Sequence, residues 1–257
     1  MKRSLAPAAP ALLALFVAAV AAPRAPDRIV PNDNRHAAGT LAHGVLTVAL
    51  DAREGLWLPE GEGGRAIPVA AFAERGQPLS TPGPLLRLNV GTDVRITFHN
   101  ALAQPLTVFG FGITRGVSDS VIIAPNATRT MRFLAATPGT YYYVGRRTID
   151  PSGSRAADDE QMNGVIVVDP AGARPDSAER VFAITWWGTV DRTSRTGLGR
   201  LTMAINGLSW PHTERLHYVQ GDSVRWRVVN FTDLDHPMHL HGFFFRVNSK
   251  SDGVVDS

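Results

Sequence analysis

The sequence has no cysteine among its 257 residues. That excludes a disulfide framework, a thiolate zinc site, an iron-sulfur cluster and a thiol nucleophile. Helical periodicity is almost as scarce, since no apolar stripe longer than about two turns follows residue 22, and a helix bundle is excluded with it. Charge of one sign is lacking too: the formal net charge is +3, from 26 Lys and Arg against 23 Asp and Glu. Setting aside Lys2 and Arg3, which open the chain, nearly balances the two signs. No nucleic acid and no anionic membrane surface is called for as a partner. The longest apolar run, residues 11–22, is about a dozen residues, short of the roughly 20 that span a bilayer, so the chain is not expected to be transmembrane.

The same run has a role at the amino terminus. Lys2 and Arg3, the apolar stretch and the small residues Ala19-Val20-Ala21 make residues 1–22 read as a cleaved secretory signal. Export of a cysteine-free chain points to a periplasmic or secreted bacterial protein. The sequons at Asn126-Ala127-Thr128 and Asn230-Phe231-Thr232 would matter only in a eukaryotic secretory pathway.

Glycine (24) and proline (18) make about one residue in six, too few for a collagen-like chain and too many for a helical one. Strand signals fall at 44–50, 85–90, 94–98, 130–133, 140–144, 164–168, 181–187, 224–229 and 243–247. They are short, β-branched or aromatic, and punctuated by Pro, Gly, Asn and Asp. The expected class is all-β, with 257 residues enough for one large domain or two ordinary ones.

An internal repeat chooses two. At an offset of 130 residues Gly91, Val94, Arg95 and Asn100 fall on Gly221, Val224, Arg225 and Asn230, while Leu86 falls on Leu216 and Gly112 on Gly242. The expected organisation is a signal peptide (1–22), a first β-sandwich (23–171) and a second (172–257), with a Pro- and Gly-rich linker at 169–175. The same offset puts counterparts of the first unit's last strands near 269 and 295, so the second unit is expected to be incomplete.

Three of the eight histidines stand within six residues: His236-Pro237-Met238-His239-Leu240-His241. In an extended segment His239 and His241 point to one face, with Cβ atoms about 7 Å apart, which favours one ligand to each of two neighbouring metals over chelation of a single ion. His236 has the wrong spacing to join them, and Pro237 bars regular ladder pairing, so His236 is assigned to a separate centre. Imidazole suits copper, zinc, iron or nickel, and spacing alone leaves that choice open. The other histidines, His36, His43, His99, His212 and His217, are scattered and read as structural. Asp158-Asp159-Glu160, the one tight acidic cluster, reads as a solvated loop.

The segment ending in Gly242 resembles the copper-ligand strand of the multicopper oxidases, the laccase and bilirubin-oxidase group, which are built from cupredoxin-like Greek-key sandwiches. Residues 82–87 and 91–94 are similar to strands early in that family's first domain, residues 139–143 to a late strand, and residues 206–211 to the opening of a later domain. The resemblance implies copper as cofactor, with His236 on a mononuclear type 1 copper and His239 and His241 on a trinuclear cluster that reduces dioxygen. A small molecule or metal ion would donate the electrons, and no Met-rich or acidic insertion marks the donor as a metal ion.

Two departures limit what the chain does alone. The family's first-domain His-Trp-His-Gly and His-Ser-His motifs correspond here to Phe109-Gly110-Phe111-Gly112 and Val144-Gly145-Arg146. Phe cannot ligate a metal, and a cationic Arg disfavours one. The family's His-Cys-His motif has no counterpart before Ser257, and without its thiolate there is no type 1 centre. The expectation is therefore a copper-binding oxidoreductase fragment, inactive alone. The alternatives are a complete protein that has lost its copper chemistry, a full-length form limited to electron transfer or nitrite-reductase-like chemistry, a non-catalytic metal-binding cupredoxin module, and a purely structural sandwich pair. An incomplete second unit needs a partner edge to be soluble, which makes a homo-oligomer one expectation.

Overall fold

A computed structural model describes residues 26–111, 120–147, 161–174, 176, 178–190, 193, 195, 198–232 and 234–250. The signal segment at 1–22, the acidic cluster at 158–160, Gly112 and part of the linker lie outside the described residues. Every regular element described is a strand, and no described helix is long and apolar enough to cross a membrane.

The first sheet contains β1 (Asp27–Pro31), β5 (Leu79–Thr81), β4 (Ile67–Glu74), β3 (Val45–Trp57), β7 (Asp93–Asn100) and β10 (Thr128–Leu134) in that order, with β2 (Thr40–Ala42) paired to β3. The second orders β6 (Leu86–Asn89), β12 (Asn163–Asp169), β11 (Gly139–Arg146), β8 (Leu106–Phe109) and β9 (Val121–Ile123). Alternation explains how they meet. Leu46, Val48 and Leu50 of β3 and Val94, Ile96 and Phe98 of β7 project from one face onto Leu86, Leu88, Leu106, Val108, Ile166 and Val168 of the second sheet.

A third sheet, β14-β13-β15, is built from β13 (Glu179–Val190), β14 (Leu198–Ile205) and β15 (Arg225–Asn230). It repeats part of the first. β13 pairs antiparallel with β14 and parallel with β15, as β3 pairs antiparallel with β4 and parallel with β7. Thr47 faces Arg95 in the first unit, and Glu179 faces Arg225 in the second. Gly91 and Gly221, the repeat's shared glycines, both have φ in the left-handed region, +86° and +101°, where a side chain is strained.

The third sheet lays Val181, Ala183, Val229 and Phe231 on Leu85, Val165 and Val167, the outer face of the second sheet. Strand β12 is thus buried on both sides, which is why its sequence reads as a continuous apolar run. At the rim, Arg87 of β6 binds Asp169 of β12 through Nε and Nη2 (2.7 and 3.0 Å) and reaches Glu179 of β13 at 2.7 Å; Arg227 of β15 binds Glu179 at 2.7 Å and Thr140 at 2.8 Å. Two guanidiniums and two buried carboxylates alternate, so each charge is answered. Burial works against the charge on Arg87, but Asp169 and Glu179 outweigh it and raise its pKa above the ordinary arginine value.

Asn206 and Gly207 key the two units together elsewhere, the first through Asn34, whose Nδ2 donates to Asn206 Oδ1 at 3.3 Å. The Asn206 side chain accepts from the Ala183 amide (2.9 Å) and donates to the Val181 carbonyl (3.0 Å), and the Trp57 indole donates to the Gly207 carbonyl (2.8 Å).

Sequence expectation and structure part at 243–247. The apolar run there pairs with no described strand, and Phe243, Phe244 and Phe245 are exposed instead.

Candidate metal-binding segment

Strand β15 stops at Asn230 because that side chain takes over the backbone's hydrogen bonding. Its Oδ1 accepts from the Thr232 amide at 2.9 Å, and its Nδ2 donates to the Leu234 carbonyl at 2.7 Å, an Asx turn that redirects the chain. Asn100 closes β7 in the same way: Leu102 N donates to Oδ1 at 3.0 Å and Nδ2 donates to the Gln104 carbonyl at 2.9 Å. The turn at Asn230 delivers the histidines. Thr232 Oγ1 lies 2.7 Å from His236 Nε2 and holds that half-buried ring.

His239 and His241 are exposed, and their rings meet edge to face with centroids 4.7 Å apart. The two histidines lie outside the described strands, so strand alternation does not describe the pair. His236 is held separately on Thr232. Among the described residues no three His, Cys, Asp or Glu side chains are grouped closely enough to hold a metal ion. The pair supplies two imidazoles of suitable chemistry and no third donor.

The matching place in the first unit is filled with rings. Phe111 is buried and stacks on Tyr143 (5.0 Å, 27°), Tyr143 stacks on Phe72 (5.5 Å, 21°), and Phe98 closes the cluster edge-on to Phe72 (5.1 Å). The Arg146 guanidinium lies 5.8 Å from the centre of the Phe109 ring. Burial drives the Tyr143 hydroxyl well above the usual tyrosine pKa, so the ring stays neutral and donates to the Pro84 carbonyl at 2.6 Å.

Of the scattered histidines, His36 and His212 line a cleft of about 630 Å³ between β1, β5 and the loop after β14, which none of His236, His239 and His241 enters. Sequence reasoning missed the supports of the segment. Asn230 and Thr232 were visible as a sequon, and the structure uses both as a turn and a histidine anchor. The seam between Tyr142 and Phe231 (5.6 Å, edge-on), which fixes the start of that turn against the first unit, carried no signal beyond two aromatic residues.

Comparison with known proteins gives a consistent picture. The multicopper oxidase family model Cu-oxidase_2 matches residues 181–256. The chain is 24% identical over 207 residues to a probable nitrite reductase-hydroxylamine oxidoreductase fusion protein of Kuenenia stuttgartiensis, a match covering 72% of this chain and 23% of that protein. Among solved structures it is similar to the multicopper oxidase mgLAC (TM-score 0.57, 23% identity, 76% of this chain and 64% of that one) and to the blue copper oxidase of Nitrosomonas europaea (TM-score 0.55, 23% identity, 73% and 61%). The chain therefore spans about a quarter of the curated relative and less than two thirds of either structure.

Proposed function

We propose, from the premise that this is a cupredoxin-like protein of the multicopper oxidase family, that residues 178–250 carry part of a copper centre and the chain is an exported fragment of a copper oxidoreductase. The complete form would take single electrons from a small molecule or metal ion and pass them to dioxygen. The observation that carries the reading is the family match over 181–256 together with the convergence of His239 and His241 after the Asn230 turn. His236, whose Nε2 lies beside Thr232 Oγ1, is assigned to the mononuclear copper. His239 and His241 are assigned to the trinuclear cluster, where bound copper would supply dioxygen reduction.

The first unit offers this chemistry nothing, since Phe109, Phe111 and Arg146 stand where ligands would be needed. The described residues do not complete a copper polyhedron, so the chain alone is proposed to be inactive. A second reading, a non-catalytic metal-binding or electron-transfer cupredoxin module, is favoured by that incompleteness.

Calorimetric titration of the chain with Cu(II), read with its absorption spectrum, tests the proposal. The expected result is weak binding without an intense blue band, abolished in His239→Ala and His241→Ala. Binding unchanged in both variants overturns the assignment, and an intense blue band overturns the claim of incompleteness.

A further inference from the structure

We propose that the cleft between β1, β5 and the loop after β14 binds a small organic ammonium ion, an alkylamine, with its charge on Glu74 and its apolar body along the walls. The site owes nothing to copper, and none of His236, His239 and His241 lines it.

Charge balance singles out Glu74. Three carboxylates line the cleft, those of Asp33, Glu74 and Glu214, and no lysine or arginine does. Two of the three already have cations: Arg35 pairs with both Asp33 (3.3 Å) and Glu214, and Arg180 stands 3.4 Å from Glu214. Glu74 closes β4, is half-buried, and accepts from the Gly39 amide through Oε1 at 2.9 Å. No cation pairs with it among the described residues. A carboxylate partly withdrawn from water is normally answered by an opposite charge, and here a ligand supplies it.

The chemistry of that ligand follows from what remains. Gly39 occupies Oε1, so Oε2 is the free oxygen; one oxygen suits a compact ammonium better than a planar guanidinium, which takes two in parallel. Gln77 and Ser80 add neutral acceptors to the lining, while Pro31, Pro78, Pro84, Ile205 and Leu208 offer apolar surface to the body of the molecule. A volume of about 630 Å³ is that of a small-molecule site. Among the described residues no three His, Asp or Glu side chains are grouped to hold a bare metal ion, so the occupant is organic.

Both walls are fixed in advance. Asn32 donates from its backbone amide to the Thr81 carbonyl and from Nδ2 to the Gly83 carbonyl, each at 3.0 Å, and the Ala38 amide donates to the Leu85 carbonyl at 2.8 Å. Opposite them, the Ile205 amide donates to the Leu208 carbonyl (2.9 Å) and the Ser209 amide to the Pro59 carbonyl (2.8 Å). A preformed cleft loses little affinity to ordering. Its walls belong to different units, so the ligand bridges them.

The test titrates the whole chain with hexylamine, followed by calorimetry and by amide resonances. The expected result is saturable binding that shifts the Gly39 and Leu208 amides together, one from each wall. Glu74→Gln keeps an acceptor for Gly39 and weakens hexylamine at least about tenfold, through loss of a charge-assisted hydrogen bond. Gln77→Trp, at an exposed turn position, narrows the cleft with Glu74 intact and weakens hexylamine as well, which keeps the proposal testable if Glu74→Gln fails to fold. Hexanol and hexanoate bind at least about tenfold more weakly than hexylamine, and His239→Ala binds hexylamine as the parent chain does. Absence of saturable binding overturns the proposal, as does equal affinity in Glu74→Gln or equal affinity for hexanol. Tighter binding of hexylguanidine overturns the choice of headgroup, and tighter binding of glycyl-lysyl-glycine overturns the free amine in favour of a partner's lysine. Copper enters none of these readings, so their failure leaves the proposed copper centre untouched, and the reverse holds.

Discussion

Phe111 lies on Tyr143 with ring centroids 5.0 Å apart and planes inclined by 27°, at the position that its counterpart His241 holds in the second unit. One ring serves the core and the other faces solvent, although the two places are related by the repeat. Replacing Phe111 by His is expected to cost about 2–4 kcal/mol, through lost stacking and a poorly partnered buried imidazole. It adds no metal affinity. Chemical denaturation and Cu(II) titration of Phe111→His check both halves of the expectation.

The seam between the units gives a second prediction. Glu179→Gln leaves Arg87 and Arg227 sharing Asp169 alone, and breaking one member of a buried, alternating set costs about 3–5 kcal/mol. The loss is expected to fall on the second unit, read as early loss of Trp226 fluorescence against an unshifted main transition. A single transition moved by less than about 1 kcal/mol contradicts the role of the network.

A third prediction concerns alkaline pH. The folded pKa of Tyr143 is raised, so the folded state keeps a proton that the unfolded chain releases near pH 10. The associated stability is complete below that pH and is lost as pH rises from about 10 toward the folded value. Denaturant midpoints measured from pH 8 to 11 are expected to fall at the alkaline end, and Tyr143→Phe flattens this part of the profile. The same substitution gives up the hydrogen bond to Pro84, about 1 kcal/mol at neutral pH.

Gly207 supplies the fourth. At φ +86° a Cβ would stand 2.3 Å from the Thr81 carbonyl oxygen, a backbone atom with little room to retreat. Gly207→Ala is expected to destabilise the junction by at least about 2 kcal/mol and weaken the Trp57 indole bond to the residue 207 carbonyl. Thermal unfolding measures the first effect and the Trp57 contribution to near-ultraviolet dichroism the second.

Legibility followed the physics of each segment. β7 was readable because Val94, Ile96 and Phe98 alternate with polar residues, the mark of a strand buried on one face. β4 was not: it is buried along nearly its whole length, so alternation vanishes, and its run of alanines is weak in β propensity. The 243–247 run has strand composition and forms none, since composition alone does not supply a pairing partner. At the histidines, spacing singles out the three residues, while the turn before them depends on Asn230 hydrogen bonds that residue spacing does not encode. The internal repeat was the most informative signal, because it compares the chain with itself and needs no propensity scale.

The doubly buried strand β12 also sets an order of events. Val165 and Val167 finish the first sandwich and at once present the surface on which Val181 and Ala183 come to rest. The wall belongs to the first unit, so the inner face of the third sheet has its partner only once that unit has formed. The second unit is thus assembled against a template, and a lesion in β12 is inherited by both.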